Sequence, residues 1–345
     1  MVIGARRVFR LSLTIALSLA LAYGLALDLP YFAPIFAFIL CAAPKPPMGL
    51  RGLLGLTLVL VLTLGIGLLL IPMLMHYPFT GLLLVLLGLF FANYVALNLG
   101  KGPVGILLAV GIAMIPAAGL LSFALATMLI VALVAGVALA VASYSVVYPF
   151  FPEDTDSAPP PDTPTPLQSS WLATRAALIV YPGFLLALIN PTLYMPVVMK
   201  SLALGQQTSA IDARSAGREL IGSTLMAGLL SILLWLGLSI YPSLWMFFLW
   251  ILLAAVYVSA KFYGVSPSRY PPTFWQNVMV TMLILLGPAV ADSAVGKDVY
   301  AAFAVRISLF ILVSIYAWLA VLLLDHLSER RRNNTLAVGA LMERT

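Results

Sequence analysis

The chain has 345 residues, 63% of them hydrophobic and 9% charged, with a mean hydropathy of +1.09. Its 18 Lys and Arg and 12 Asp and Glu are too few to cover a water-soluble core of this size, which excludes soluble enzymes and nucleic-acid-binding modules and makes lipid the solvent. The net charge of +6 therefore bears on topology and lipid headgroups rather than on a polyanionic partner.

A hydrocarbon core of roughly 30 Å takes about 20 residues of helix. Apolar stretches in the first half predict spans at 11–27, 31–43, 53–74, 79–97, 104–118 and 121–147. Those in the second half predict spans at 172–189, 194–204, 220–240, 243–260, 274–290 and 299–324. The stretches opening at Tyr31 and Tyr194 are short; they either complete a set of twelve or pair as re-entrant elements and leave ten full spans. Between the halves, residues 152–168 (PEDTDSAPPPDTPTPLQ) are acidic and proline-rich and predict a flexible cytoplasmic linker, and residues 329–345 predict a cytoplasmic tail. Arg6 and Arg7 ahead of an apolar run imitate a signal peptide, but the repeat described next needs that segment, so it reads as a retained first span. Placing the N terminus inside puts nearly every Lys and Arg at a cytoplasmic end or loop, with Lys297 and Arg306 in disagreement, so both termini are expected in the cytoplasm.

The two halves resemble each other. Arg51-Gly-Leu-Leu-Gly-Leu-Thr-Leu58 recurs as Arg218-Glu-Leu-Ile-Gly-Ser-Thr-Leu225. In the same order, Tyr31-Phe-Ala-Pro34 pairs with Tyr194-Met-Pro196, Tyr77-Pro78 with Tyr241-Pro242, and Ala92-Asn-Tyr-Val95 with Ala255-Val-Tyr-Val258. The offsets stay near 165 residues. The expected fold is an all-α membrane protein of about 12 transmembrane helices, in two parallel six-helix repeats (1–151 and 169–328) related by a pseudo-two-fold axis along the membrane normal. Two like bundles create a seam lined by equivalent positions, where a solute pathway can run and about which one half can rock. Duplication as a stable scaffold alone is the competing reading.

Pro34 and Pro196 open the two short stretches, each followed by a polar loop (44–48 and 205–218). Proline frees a carbonyl, so such elements belong inside protein or against a cavity, and their helix N-termini suit an anion. Arg10, Arg175, Lys200 and Arg306 lie near or within the hydrocarbon, and all four are cations. With Asn93, Tyr94, Tyr257, Gln276 and Asn277 they form the candidate substrate-binding set, suited to solutes that carry a carboxylate. Snorkelling to headgroups competes with that role for Arg10, Arg175 and Lys200, and an outer-surface pair with Asp292 or Asp298 competes for Arg306. Arg51, Gly55 and Thr57, repeated as Arg218, Gly222 and Thr224, are the candidate gate or repeat motif. There the small residues permit close helix approach and the arginine anchors topology or gates the inner side.

Other chemistry is not encoded in recognisable form. The sequence has no Gly-rich loop followed by Lys-Ser or Lys-Thr and no HExxH; His76 and His326 stand alone, and Cys41 is the single cysteine. No catalytic residue, metal or cofactor is expected.

The opening Arg6-Arg-Val-Phe-Arg10 before an apolar span, the Tyr31-Phe-Ala-Pro34 segment, the Arg51-Gly-Leu-Leu-Gly55 motif and the doubled six-span plan resemble the fusaric acid resistance and aromatic acid exporter (FUSC-like) family of bacterial inner-membrane proteins. The resemblance implies a multi-pass inner-membrane protein that exports aromatic or other organic acids under an ion gradient, with a periplasmic adaptor and an outer-membrane channel as partners. Larger members carry a sizeable cytoplasmic domain between the halves, where this chain has only 152–168. The expected function is thus a secondary transporter exporting small organic, chiefly aromatic, acids or toxic compounds by alternating access. A passive organic-anion channel and a non-transporting assembly subunit of an efflux complex are the alternatives. Absence of deep carboxylates favours the channel, and the broken short segments favour the transporter. The expected partners are the organic acid and the lipid bilayer, with no nucleic acid; homo-oligomer formation is left open.

Overall fold

A computed structural model of the chain describes residues 2–43, 45–153, 166–208 and 213–342. Among them all regular structure is helical. The first half holds α1 (Ile3–Gly24), α2 (Phe32–Cys41), α3 (Leu50–His76), α4 (Pro78–Asn98), α5 (Gly102–Leu121) and α6 (Phe123–Val147), with a 3-10 turn at Tyr148–Phe150. The second half holds α7 (Pro166–Ile189), α8 (Pro191–Thr208), α9 (Ala213–Ile240), α10 (Leu244–Phe262), α11 (Pro272–Ala294) and α12 (Val299–Met342).

Each predicted apolar stretch coincides with one of these helices. Ten of them, all but α2 and α8, are long and apolar enough to cross a membrane, which makes the chain an all-helical, multi-pass membrane protein. The 10 residues of α2 rise about 15 Å, half a hydrocarbon core. Two predicted boundaries need correction. α8 runs on to Thr208 and α9 starts at Ala213, so most of the polar loop expected at 205–218 is helix. The α12 backbone stays helical through most of the tail expected at 329–345, where Glu and Arg are good helix formers. The greater part of the expected linker, 154–165, lies outside the described residues, as do 209–212 and 343–345.

In lipid a helix satisfies its own backbone, so the apolar runs fold as helices and local chemistry sets their ends. Pro78, Pro103 and Pro272 sit in the first turns of α4, α5 and α11, where a missing N–H costs nothing. Ser122 and Ser243 accept hydrogen bonds from the N–H groups of Leu125 and Met246 and so cap α6 and α10. Gly264 ends the turn after α10 at φ +69°, a left-handed conformation open to glycine.

The interior consists of α2, α5, α8 and α11. Every residue of α5 from Ala109 to Ala118 and of α11 from Asn277 to Ala289 is buried. The outer helices present large apolar side chains such as Leu54, Phe79, Leu83, Trp245 and Leu323, as a lipid-facing surface requires. In the first half α1 packs on α2 and α6, α2 on α6, α3 on α4 and α5, α4 on α5, and α5 on α6. In the second, α7 packs on α8 and α12, α8 on α12, α9 on α10 and α11, α10 on α11, and α11 on α12. Across the halves α1 meets α10 and α4 meets α7, while α2 meets α11 and α5 meets α8. Some contacts lack a counterpart of like extent, among them α8 on α11 and, across the halves, α5 on α7, and one difference stands out. α9 packs on α12, where the hydroxyls of Thr224 and Ser314 are 2.9 Å apart, whereas α3 and α6 leave an apolar groove of about 370 Å³ lined in part by Thr57 and Ser145.

The ends of α2, α6 and α10 gather at the face where α1 begins, the N-terminal face. There the hydroxyls of Tyr144 and Tyr263 donate to the carbonyls of Lys45 and Ala42.

Candidate functional site

Among the described residues, two cavities lie along the seam near α2 and α8, and a wider cleft of about 510 Å³ opens between Tyr23 of α1 and α9 to α11. The inner one, about 50 Å³, is bounded by α2 (Phe32, Ile35, Phe36, Ile39), α5 (Ile106, Val110), α8 (Met199, Leu202, Ala203, Gln206) and α11 (Gln276, Asn277, Val280, Ile284). The outer one, about 210 Å³, lies where α2 and α8 begin and includes Tyr31, Thr192, Met195, Pro196, Pro288 and Arg306 in its wall. Tyr31 belongs to the outer cavity and its neighbour Phe32 to the inner, with their rings stacked at 5.1 Å. α2 is pinned at this partition by Gly287, where a Cβ would lie 2.3 Å from the Cβ of Tyr31.

Beside the inner cavity stands a polar network inside otherwise apolar helices. Lys200 on α8 is fully buried, and its Nζ donates to Asn277 Oδ1 at 3.0 Å and Thr281 Oγ1 at 2.7 Å. Thr281 in turn donates to Asn277 Oδ1 at 3.0 Å, and Asn277 Nδ2 donates to Ser223 Oγ on α9 at 2.5 Å. Among the described residues both acceptors of the lysine are neutral. An enclosed ammonium loses several kcal/mol of solvation, which amide and hydroxyl oxygens offset only in part. Lys200 does not itself line the inner cavity; Asn277 does.

At the outer cavity Arg306 on α12 donates through Nη2 to Asp292 Oδ2 at 2.5 Å, and Lys297 Nζ lies 3.7 Å from Asp292 Oδ1. Arg306 Nη1 is buried with no hydrogen-bond acceptor among the described residues.

The remaining candidates lie elsewhere. Arg10 is buried at the N-terminal face, donating to Glu153 Oε2 at 2.6 Å and to the Phe151 carbonyl at 3.0 Å, with its guanidinium 5.4 Å from the Tyr148 ring centroid. Arg7 Nε donates to Glu153 Oε1 at 2.7 Å. Burial alone would raise the Glu153 carboxyl, but hydrogen bonds from Arg7 and Arg10 and their charges hold it below the ordinary glutamate value. Arg175, equally buried, forks onto Asp325 at 3.0 and 2.9 Å. Arg10 and Arg175 thus lie in the first halves of α1 and α7, each tied to a carboxylate, one just after α6 and the other near the end of the apolar part of α12 (Val299–His326), and neither lines the inner or the outer cavity. Asn93 is buried, with its Nδ2 on the Leu89 carbonyl at 2.8 Å. Tyr94 stacks on Phe90 and Tyr257 packs edge-on against Trp275, and neither lines either cavity. Pro34 is buried within α2.

The repeated motif divides. Arg51 and Arg218 are both exposed. A Cβ at Gly222 would lie 3.4 Å from the Phe274 ring and Thr224 is buried, whereas a Cβ at Gly55 would have nothing within 4 Å and Thr57 bonds its own helix at Leu53 O. Gly222 thus faces an ordinary side-chain contact on α11 and Gly55 faces none, because α3 turns that face outward.

Sequence reasoning missed Thr281, Ser223, Glu153 and Asp325. Asn277 and Thr281 stand four residues apart on one face of an apolar helix, a spacing that could have signalled the network. Nothing local identifies Glu153 or Asp325 as partners of arginines so distant in the chain.

Residues 7–147 match the family described as Protein of unknown function (DUF2955). The match spans α1 to α6 and stops short of Lys200, Asn277 and Arg306. No curated protein and no solved structure matches the chain.

Proposed function

We propose that this protein is a membrane transporter for small organic acids, aromatic ones included, which move along the seam between two similar six-helix halves. The observation that carries the reading is Lys200: a fully buried lysine with neutral partners, one residue removed from a cavity at the meeting of the halves. A carboxylate reaching it would supply the missing counter-charge. The pairing of helices supports two related halves, since α1 with α10 answers to α7 with α4, and α2 with α11 to α8 with α5. A family match that ends with α6 fits the same division.

An inner cavity of about 50 Å³ holds a few waters, whereas a ring the size of benzene takes roughly 150 Å³. With Tyr31 and Phe32 between the cavities, the seam is closed to an aromatic acid, which favours alternating access over an open pore. Opening the seam at α8 and α11 would bring the Lys200 ammonium to the solute. On this reading the basic N-terminal face is cytoplasmic, in a bacterial inner membrane.

Proteoliposomes loaded with labelled benzoate test it. Lys200→Gln is expected to slow efflux about tenfold or more at equal protein incorporation, and Lys200→Arg to retain part of it. Equal efflux from wild type and Lys200→Gln would remove this lysine from the pathway.

A further inference from the structure

The outer cavity carries chemistry of its own. Its wall is apolar apart from a few groups, and the one charged side chain in it is Arg306. A guanidinium is a planar fork that binds carboxylates in pairs of parallel hydrogen bonds. Here Asp292 takes Nη2, while Nη1 is buried and has no acceptor among the described residues. A buried donor left unsatisfied costs about 1–3 kcal/mol, more when charged. Of the other polar groups nearby, Thr192 Oγ1 donates to Asn190 Oδ1 at 2.7 Å, Asn190 Oδ1 also receives the N–H of Leu193 at the start of α8, and Tyr31 in the cavity wall carries a hydroxyl. Asp298 is engaged by the N–H groups of Tyr300 and Ala301.

The ion pairs join Arg306 and Lys297 through Asp292, and Lys297 is largely exposed. Size restricts the ligand further. At about 210 Å³ the space exceeds the roughly 150 Å³ that accepts benzene, so a body of six or so carbons fits with its acid group.

We propose that this cavity is a binding site for a monocarboxylate with an apolar body, its acid group held by the Nη1 edge of Arg306 while Asp292 holds the other edge. Asp292 has a double role: it orients the guanidinium and competes with the ligand for it. The site lies at the far end of the seam from Gln206 and Gln276 and is separate from Lys200. It shares the seam with the transport reading but is tested by binding alone, so either can fail without the other.

The experiment uses the full chain in nanodiscs of zwitterionic lipid, titrated calorimetrically with benzoate, hexanoate and the neutral analogue benzamide. Both acids are expected to bind and benzamide to bind about tenfold or more weakly. Asp292→Asn alone is expected to tighten benzoate binding several-fold by removing the competing carboxylate, roughly as for a lost like-charge neighbour. The double variant Arg306→Gln/Asp292→Asn removes both charges without stranding either, and it is expected to lose about tenfold or more in benzoate affinity. Ser145→Ala, in the groove between α3 and α6, is expected to leave that affinity within about threefold, since separated sites act independently. The titrations are repeated in a Lys200→Gln background, so that a carboxylate held at that lysine is not counted; benzamide binding equal to benzoate, or benzoate binding that survives in the double variant in that background, would each overturn the proposal.

Discussion

Two buried arginines, a half-buried one and a buried lysine are all basic but do not share a role, and their partners decide which is which. Arg10 and Arg175 each face a carboxylate at hydrogen-bond distance, so their charge is already balanced within the protein. Arg306 is balanced on one edge, and Lys200 meets only neutral oxygens. From sequence Arg10, Arg175 and Lys200 were alike as cations that could snorkel, because the carboxylates that hold Arg10 and Arg175 lie far along the chain, whereas the pair of Arg306 with Asp292, 14 positions away, was among the readings the sequence offered. Glu153 offers a direct test. Replacing it by Gln strands a buried guanidinium, which is expected to lower stability by about 3 kcal/mol, read as an earlier thermal melt in detergent. Because its carboxyl is held below the ordinary glutamate value, the contribution is fully present above the unfolded value of about 4.3 and fades as pH falls through the lower folded one. The difference between wild type and Glu153→Gln is therefore expected to stay constant from about pH 8 to 5 and to shrink below about pH 4. A difference that disappeared near neutral pH would show that the pair contributes nothing through its charge.

At the scale of elements, the placement of helices was legible in the sequence because in lipid an apolar run of sufficient length has no alternative to helix. The ends were less so. Gly205 and Gln206 read as the start of a loop, yet a Cβ at Gly205 would lie 3.2 Å from the Ala176 carbonyl and 3.0 Å from Val180, so α8 packs tightly on α7 there and the helix continues. Glycines divide by the same criterion. Gly287→Ala would drive a methyl group into Tyr31 and is expected to cost about 1–3 kcal/mol by overpacking. Gly55→Ala, on an outward face with nothing within 4 Å, is expected to be neutral or to stabilise by up to about 1 kcal/mol through helix propensity. Melting temperatures of the two variants in one detergent compare these directly, and equal losses would mean that α3 packs against a partner at Gly55.

At the scale of the whole molecule, the helices before and after the linker meet through α1 with α10, α4 with α7, α2 with α11 and α5 with α8. Such extensive packing does not need the covalent connection. Residues 1–153 and 166–345 expressed as two chains are expected to co-purify through a tag on either one, and recovery of each alone would contradict the seam. The packing also reveals an imbalance that similarity between the halves conceals. The Lys200, Asn277, Thr281 and Ser223 network belongs wholly to the second half, while the helix that matches α8 in the first carries Phe32, Phe36 and Phe38 in its buried face. One half supplies polar groups at the seam and the other an aromatic wall.

By itself the sequence determined that lipid is the solvent, where the helices lie and that short segments recur in order, since hydropathy and local motifs are properties of neighbouring residues. Only the tertiary structure decided which cations are satisfied. Arg10 and Glu153 are 143 positions apart and Arg175 and Asp325 150, so no local pattern records their pairing. The same packing encloses Lys200 among neutral oxygens and leaves Nη1 of Arg306 buried without an acceptor among the described residues. Electrostatic balance at a buried group depends on what stands within a few ångströms of it, and folding alone assembles those neighbours.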